Sequence, residues 1–580
     1  MQPRRTTWIL EEPAPEAAHL AREAGISPLQ AQILLRRGID TPAAARRFLS
    51  PRLADLPPPG LLEDMDRAVD RVLRAARKAL PITVYGDYDA DGLTATALLV
   101  RFFTDLDLPA FPYVPDRLEE GYGLNRDAVD RIAETRGGLL ITVDCGTGNL
   151  EEVRHALSRG MDVVITDHHR VPDDFDAPCP VLNPKRPDCA FPFRGLAGVG
   201  VAFYLAAAVR AAMREEGWFR SRPEPDLRPY LDLVALGTLA DMVPLLEENR
   251  RLVSAGMEVM KASRWPGVLA LQALTGVEPD RVSPEDVAFR LAPRINAAGR
   301  LGEPRTGLDL LLTSDPVSAR RLAERLHTLN DQRQSLERAV LARIESDLLS
   351  DEAVEDRRVL VLHGEGWHQG VLGIVASRIA LRYGRPTIVL DVRDGIATGS
   401  GRSVDGFDLH GALESLDDLF LRFGGHRHAV GLSLEERHID RLIEGMEAAA
   451  VERLTEGDLV PALRVEAELP LGDVTKETIE EIQRLGPFGS GNPEPLFLAR
   501  GLDVPESRVV GDRHLKLRVA CGGRELDAIG FDQGHLHPLR GARVSVVYYP
   551  RVNRWNGVES LQLNIRALDP VEGEHGRRNG

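Results

Sequence analysis

The sequence is poor in cysteine, in long apolar runs and in net positive charge, and each shortage removes a class of protein. Only four cysteines occur in 580 residues: Cys145, Cys179, Cys189 and Cys521. None forms a C-x-x-C pair, which excludes a zinc knuckle or a disulfide framework and fits thiols in a reducing compartment. The most apolar run, Gly198–Val209, is about twelve residues long, too short to cross a bilayer. The first residues, MQPRRTTWILEEPAPEAAHL, hold no apolar core of a secretory signal. A cytoplasmic protein without a membrane role is therefore expected. Lys and Arg total 72 against 88 Asp and Glu, a net charge of −16. That excludes unspecific coating of nucleic acid but not a local channel. Residues 501–567 carry ten Lys/Arg and seven Asp/Glu, so one stretch of an acidic chain is basic.

What is present is an ordinary soluble balance, 43% hydrophobic and 28% charged. The length calls for several cores. Residues 1–78 read as helical, with Ser27–Arg36, Thr41–Phe48 and Leu62–Leu80 at helical spacing. From residue 79 to 315, LPITVYG, LLITVDCG and MDVVITDHH are short β-rich runs among the helices Gly92–Thr104, Arg126–Thr135 and Leu150–Arg159. Apolar strands alternating with helices predict an α/β domain with a parallel sheet covered on both faces. A long charged helix, residues 316–350, links it to a second α/β unit over 351–455, where RRVLVLHG and RPTIVLDV flank the helix Gly370–Tyr383. Residues 456–567 begin with a helix and the turn-rich LGPFGSGNPEP, then run through five short strands that fit an OB-fold-like β-barrel. Residues 568–580 read as a flexible tail.

The strongest signal is where the acids fall. The strand at Ile82–Tyr85 runs into GDYDADG, with Asp87, Asp89 and Asp91. The strand at Leu139–Val143 ends at Asp144, and the strand at Val163–Thr166 ends at Asp167-His168-His169. In an open α/β sheet the carboxyl ends of the strands are where ligands bind. Carboxylates crowded there repel, and a divalent cation resolves the repulsion. Residues two apart share a side in extended chain, so Asp87, Asp89 and Asp91 can converge. His168 and His169 are adjacent and should diverge, leaving at most one as an easy ligand. Oxygen donors with an imidazole and no thiolate favour Mn²⁺ or Mg²⁺. A calcium loop is the nearest rival, but it needs a bidentate Glu where this chain has Leu98, and a strand precedes it rather than a helix.

GDYDADG, VDCG, TDHH and ALGTLADMVPL, in that order, resemble the DHH phosphoesterase superfamily, most closely its RecJ-type single-strand-specific exonucleases. GVLGIVASRI, GSGRS and FGGHRHAVG resemble the DHHA1 domain of the same family. The resemblance implies two metal ions. Asp89 would bind the first and Asp91 the second, Asp144 would bridge both, and His168 and Asp241 would complete the second shell. Asp87 would stand near the first metal in a catalytic role, and His169 would touch the scissile phosphate or orient the shell. Arg117, Tyr122, Arg300, Ser400, Arg402, Gly424, Gly425 and His426 would bind DNA and its phosphates.

The resemblance further implies 5′→3′ hydrolysis of single-stranded DNA to mononucleotides in repair and recombination, by a monomer working with single-strand-binding protein and a helicase. In the barrel, Arg540, Arg543, Arg551, Arg554 and Arg566 lie near Tyr548, Tyr549 and Trp555, a composition suited to stacking bases and tracking phosphates. At least one of the adjacent tyrosines belongs equally well to the barrel core. Two other readings compete: a phosphodiesterase of the same superfamily acting on oligoribonucleotides or cyclic dinucleotides, and a non-catalytic DNA-binding scaffold.

Overall fold

The computed structural model describes residues 7–116, 120–121, 123–347, 357–460, 462–555 and 558–570. The chain divides into two compact units, one of residues Arg52–Leu459 and one of Met1–Pro51 with Val460–Gly580.

The larger unit is organised around a five-stranded parallel sheet in the order Ala110–Tyr113, Ile82–Gly86, Leu139–Val143, Asp162–Thr166, Val181–Leu182. The first and last of these strands were not expected from sequence, because four and two residues are too few to show a period. Strands Ile82–Gly86 and Leu139–Val143 are buried along their whole length. Ile82, Val84, Leu139, Ile141 and Val143 face one core together with the helices Met65–Arg77, Ala90–Asp105, Gly198–Glu215 and Leu231–Ala240. Tyr85, Leu140, Val163 and Ile165 face the opposite core, with Val129, Ile132 and Val153 from helices Arg126–Thr135 and Leu150–Ser158. The sheet is thus covered on both faces, as its uninterrupted apolar runs require. Each buried Val, Leu or Ile contributes roughly 1.5–3 kcal/mol.

From strand Ile82–Gly86 the chain first adds Ala110–Tyr113 on one side and then Leu139–Val143 on the other. The strand order therefore reverses between Ile82–Gly86 and Leu139–Val143, and their carboxyl ends flank the crevice where such sheets bind ligands.

Helix Pro316–Asp347 belongs to two cores. Ala319, Ala323, Leu326 and Leu329 pack with the core of the parallel sheet, while Val340 and Ile344 pack with helix Gln369–Tyr383. Buried Glu337 pairs with Arg333 on its own helix and with Arg378 on the second. The second sheet runs Phe420–His426, Ala429–Glu435, Ile396–Arg402, Thr387–Arg393, Leu360–Glu365, and only its last pair is parallel. Phe420–His426 is largely exposed, and Ile396–Arg402 and Ala429–Glu435 are buried only at alternate residues, which hid all three from a reading based on apolar runs.

In the other unit, strands Phe497–Val510, His514–Cys521, Arg524–Gly530, Val558–Pro570 and Arg543–Trp555 close into a barrel, because Phe497–Val510 also pairs with Arg543–Trp555. The first 78 residues are not one region. Thr7–Leu10 pairs in parallel with Ala462–Val465, and Gln30 and Arg36 bond to Glu481 and Glu466. Met65–Arg77 instead packs in the core of the parallel sheet.

The barrel corrects the expected base-stacking surface. Tyr548 is fully buried beside Phe497 and donates to the Leu469 carbonyl. Tyr549 is also buried, under Phe488 and Arg551. Alternation turns one tyrosine inward, and the LGPFGSGNPEP turn covers the other. Arg551 and Arg566 pair with Glu494, and Arg554 pairs with Glu559.

Candidate metal centre

Helix Ala90–Asp105 starts where strand Ile82–Gly86 has turned through GDYDADG, and Asp89 caps it, accepting from the amides of Asp91 and Gly92 at 3.0 and 3.1 Å. Gly92 is required there, since a Cβ would lie 2.6 Å from the Asp87 carbonyl oxygen. Asn296 accepts from the Ala90 amide at 2.8 Å and fixes the turn from the other side. Leu98, the residue that excluded a calcium loop, is buried inside this helix.

Asp91 is fully buried and points at the start of helix Gly198–Glu215, where it accepts from the amides of Gly198 and Val199 at 2.6 and 2.9 Å. A carboxylate at a helix amino terminus is favoured by the exposed amides and the helix dipole. Asp144 follows its strand in a left-handed conformation (φ 60°), a strained backbone of the kind that gathers at functional sites. Gly198 presses on it so closely that a Cβ would sit 2.8 Å from the Asp144 Cβ. Asp241 follows helix Leu231–Ala240.

Three groups have ligand atoms within 4.8 Å of one another: Asp87, Asp89 and Asp144; Asp144, His168 and His169; and Asp91, His168 and Asp241, so that Asp144 and His168 link them. Asp144 Oδ1 is 3.0 Å from His168 Nε2. The same nitrogen is 3.6 Å from Asp241 Oδ2 and 3.9 Å from Asp91 Oδ2. These contacts are not ion pairs. Burial, with the charge of His169, lowers His168 to about 3, so its imidazole is neutral. Nor are they hydrogen bonds: Asp144 Oδ1, both His168 ring nitrogens and Asp241 Oδ2 are buried without a hydrogen-bond partner.

Burial, then the charge of Asp89, pushes Asp91 up to about 7. Burial and the charge of Asp91 raise Asp144 and Asp241 well above the carboxylate range. A lone pair ringed by carboxylate oxygens, two of which, Asp144 Oδ1 and Asp241 Oδ2, have no hydrogen-bond partner, is the donor set a hard divalent cation takes. The residues fit Mn²⁺ or Mg²⁺.

The two histidines do not diverge as strand alternation predicted. The strand ends at Thr166, and both imidazoles reach the Asp144 side with ring centroids 4.6 Å apart. Their arrangement comes from Asp167, which sequence reasoning passed over inside its own motif. Asp167 is buried and accepts from the His168 and His169 amides, the Thr147 amide and the His169 ring. Although burial favours its neutral form, the hydrogen bond and charge of His169 hold it well below the usual carboxylate range. His169 is lifted to about 9, because the Asp167 bond and charge outweigh its own burial.

The other expected contact residues fall around this centre unevenly. Arg117 and Tyr122 lie outside the described residues. Ser400 and Gly424 line a cavity of about 570 Å³ with Tyr88, Gln369 and Phe423. Arg402 lies against Gly373 and donates to the Gly401 carbonyl, and Arg300 donates to the Gly370 carbonyl. Gly425 has φ 141°, and a Cβ there would strike the Ala429 carbonyl. His426 is lowered by burial and by the charges of His428, Arg402, Lys185 and His169. Among the described residues no helix is long and apolar enough to cross a membrane.

Comparison with known proteins agrees with this geometry. Residues 81–238 match the DHH family N-terminal domain, 356–452 the DHHA1 domain and 465–567 the RecJ OB domain. The single-stranded-DNA-specific exonuclease RecJ of Escherichia coli is 38% identical over 574 residues, covering 96% of this chain and 98% of that protein. The crystal structure of RecJ in complex with Mn²⁺ from Thermus thermophilus superposes with a TM-score of 0.83 at 34% identity, covering 98% of this chain and 80% of that one. The Mg²⁺ complex of the same protein gives 0.77 at 32% identity, covering 98% and 79%. With all three domains matched in order and nearly the whole length aligned, the chain belongs to the RecJ family of DHH phosphoesterases.

Proposed function

We propose that this chain is a metal-dependent exonuclease that hydrolyses single-stranded DNA from the 5′ end to 5′-mononucleotides, in repair and recombination. The observation that carries the reading is Asp144, which stands within ligand distance of both donor groups. Asp87 and Asp89 would hold one Mn²⁺ or Mg²⁺, Asp91, His168 and Asp241 a second, and Asp144 would bridge them. Two cations so held supply Lewis-acid charge that activates water and offsets the charge gathering on the phosphoryl oxygens.

The protein's own groups do the rest. His169, held by Asp167 and half-exposed, presents a protonated imidazole to the phosphate. Ser400, Arg402, Gly424, Gly425 and His426, with Arg117, Tyr122 and Arg300, would grip the strand and its 5′ phosphate. Attack of water on phosphorus forms one P–O bond and breaks the bond to O3′, which leaves with a proton. The barrel would hold the outgoing single strand.

We assign the domains as 79–315 (catalytic), 316–350 (linking helix), 351–455 (DHHA1) and 456–567 (barrel). The setting is a cytoplasmic monomer acting beside single-strand-binding protein and a helicase.

Oligonucleotides labelled at the 5′ or the 3′ end, single- and double-stranded, digested side by side in Mn²⁺, test this reading. Early release of the 5′ label from the single strand alone is expected. Release of the 3′ label first would overturn the polarity, and equal digestion of duplex would overturn the strand preference.

A further inference from the structure

Two glycines stand in the first turns of helix Gln369–Tyr383, in the GVLGIVASRI stretch, and the reaction above gives neither a role. Glycine is a poor helix former, so two in one short span ask for a reason. Close packing of the helix on a strand backbone is the ordinary one, and the distances do not support it. A Cβ on Gly373 would meet the guanidinium of Arg402 first, 2.8 Å from Nη2 and 3.4 Å from Cζ. The next neighbour, Ser400 Cβ, is at an ordinary 3.6 Å. A Cβ on Gly370 would overlap the carbonyl oxygen of Arg300. In return, Arg300 Nη1 donates to the Gly370 carbonyl at 3.2 Å. Each glycine therefore leaves room for one arginine, and both arginines are among those expected to bind phosphate.

The two arginines come from different parts of the fold. Arg300 ends helix Ala292–Arg300 of the catalytic core, and Arg402 ends strand Ile396–Arg402 of the second sheet. Residues three apart share a helix face, so the arginines pack on one side of helix Gln369–Tyr383, against glycines one turn, roughly 5 Å, apart. The helix also borders the cavity of about 570 Å³, whose wall includes Gln369, Gly370 and Ser400, with Tyr88 from between Asp87 and Asp89. The helix is held from its other side. Val371, Val375 and Ile379 pack with Val340 and Ile344 of the linking helix, and Arg378 pairs with buried Glu337.

We propose that Gly370 and Gly373 are positioning residues, which bring Arg300 and Arg402 together on one helix face to receive the terminal phosphate of the strand. The inference rests on the reading of these arginines as phosphate-binding groups, not on the two-metal step. A terminal phosphomonoester carries about two negative charges at neutral pH, more than an internal diester. Two guanidinium groups match that charge, and each can bond two oxygens. A preference for 5′-phosphorylated over 5′-hydroxyl strands should therefore depend on the glycines. The competing role is plain packing, in which alanine would disturb the helix and weaken both strands alike.

The test measures strand binding without metal by fluorescence anisotropy. A 3′-labelled oligonucleotide carries either a 5′-phosphate or a 5′-hydroxyl. Wild type, Gly373→Ala, Arg402→Lys and the double variant are compared, and Tm is recorded for each. In Gly373→Ala only the end of a flexible side chain has to move, and alanine is the better helix former, so the variant should melt at or above wild type. Its displaced guanidinium should cut the preference for the phosphorylated strand by about 10-fold. In Mn²⁺ digestion the loss should fall on KM for the phosphorylated strand rather than on kcat. An unbranched ammonium can pass the new Cβ, so adding Gly373→Ala to Arg402→Lys should cost little further.

A Gly373→Ala protein that keeps the wild-type preference would overturn the proposal, and so would equal weakening of both strands. If Gly373→Ala does not fold, the double variant decides: it should fold and bind as Arg402→Lys does, and its failure to fold would assign Gly373 to packing and overturn the proposal. A wild type without any preference would defeat the phosphate reading of the arginines, and the proposal with it. A preference that Gly373→Ala removes, in a protein inactive on every strand, would uphold the proposal and defeat the exonuclease reading alone.

Discussion

His169 Nδ1 lies 2.8 Å from Asp167 Oδ1, and the same oxygen accepts the His168 and His169 amides at 2.7 and 3.0 Å. One buried carboxylate thus sets the backbone of both histidines and the ring of the second. Buried His168 is neutral, whereas half-exposed His169 is charged because its ring nitrogen lies on Asp167.

Asp167→Asn keeps the size of the side chain and removes its charge. Burial, then opposed only by the charges of Asp241 and Asp87, lowers His169 from about 9 toward its ordinary range. We expect kcat at neutral pH to fall by about 10- to 100-fold, while Mn²⁺ binding by calorimetry stays near wild type. An NMR titration of the His169 ring reads the shift directly. Unchanged titration with lost metal binding would show that Asp167 serves the ligands rather than His169.

Asp144 belongs both to the group with Asp87 and Asp89 and to the group with His168 and His169, and in the protein alone burial and the charge of Asp91 push its carboxyl well above the carboxylate range, with no hydrogen bond on Oδ1. Asp144→Asn should therefore separate stability from function. In EDTA the variant is expected to melt higher than wild type, by about 2–4 °C, because an uncompensated buried carboxylate is gone. Addition of Mn²⁺ should raise the wild-type Tm by mass action and leave the variant nearly unmoved. Nuclease activity should be lost. A variant that melts lower in EDTA would mean that Asp144 has a structural partner.

The difference between what sequence showed and what it hid follows from how each group acts. Asp87, Asp89, Asp91, Asp144 and His168 are legible because an acid or imidazole at the end of an apolar strand breaks a pattern. Asp241 ends a helix, where an acid breaks nothing, and only resemblance drew attention to it. Gly198 and Val199 escaped because they serve through backbone amides, which any residue type supplies. Asn183 escaped because its work is to join the His169 carbonyl to the Lys185 amide, in two loops that are distant in sequence. In the barrel, composition promised exposed aromatics, but Phe488 covers Tyr549 from a turn that carries no strand signal.

Asp64 and Arg186 form a well-buried ion pair of the catalytic unit. Asp64 Oδ2 accepts from Arg186 at 2.6 Å and from the Val181 amide at 3.1 Å, joining the start of helix Met65–Arg77 to the last strand of the sheet. Burial raises the Asp64 pKa, but the Arg186 bond and the Val181 amide outweigh it, so the group titrates below its ordinary value. A lowered carboxylate contributes stability that is present above the ordinary carboxylate range and lost as pH falls through the folded pKa. Asp64→Asn tolerates the left-handed backbone (φ 65°) but gives up the charge. It is expected to cost about 1–3 kcal/mol at pH 7, and the gap from wild type should shrink as pH falls below about 4. Urea unfolding at pH 7 and pH 3 measures both. An equal cost at the two pH values would assign the effect to shape rather than charge.

Gly237 lies against the second donor group, and its lack of a side chain is what lets helix Leu231–Ala240 lie against Asp91. A Cβ there would stand 2.8 Å from Asp91 Oδ1 and 2.9 Å from Val199 Cγ1, and closer still to Thr94 Oγ1. None of these atoms can yield freely. Thr94 is held by the carbonyls of Ala90 and Asp91 at 2.7 and 3.0 Å, and Asp91 is held by the amides of Gly198 and Val199. Gly237→Ala therefore moves either the carboxylate or the helix that carries Asp241. We expect Mn²⁺ affinity to fall by about 10- to 100-fold, as for loss of a group that orients a ligand. Overpacking should cost about 1–3 kcal/mol in EDTA. Activity at saturating Mn²⁺ should recover more than activity at limiting Mn²⁺, because the donor atoms remain and only their placement is disturbed. Calorimetry in Mn²⁺ decides the matter: an Ala variant that binds as tightly as wild type would mean that the helix shifts as a whole and carries Asp241 and Asp91 with it.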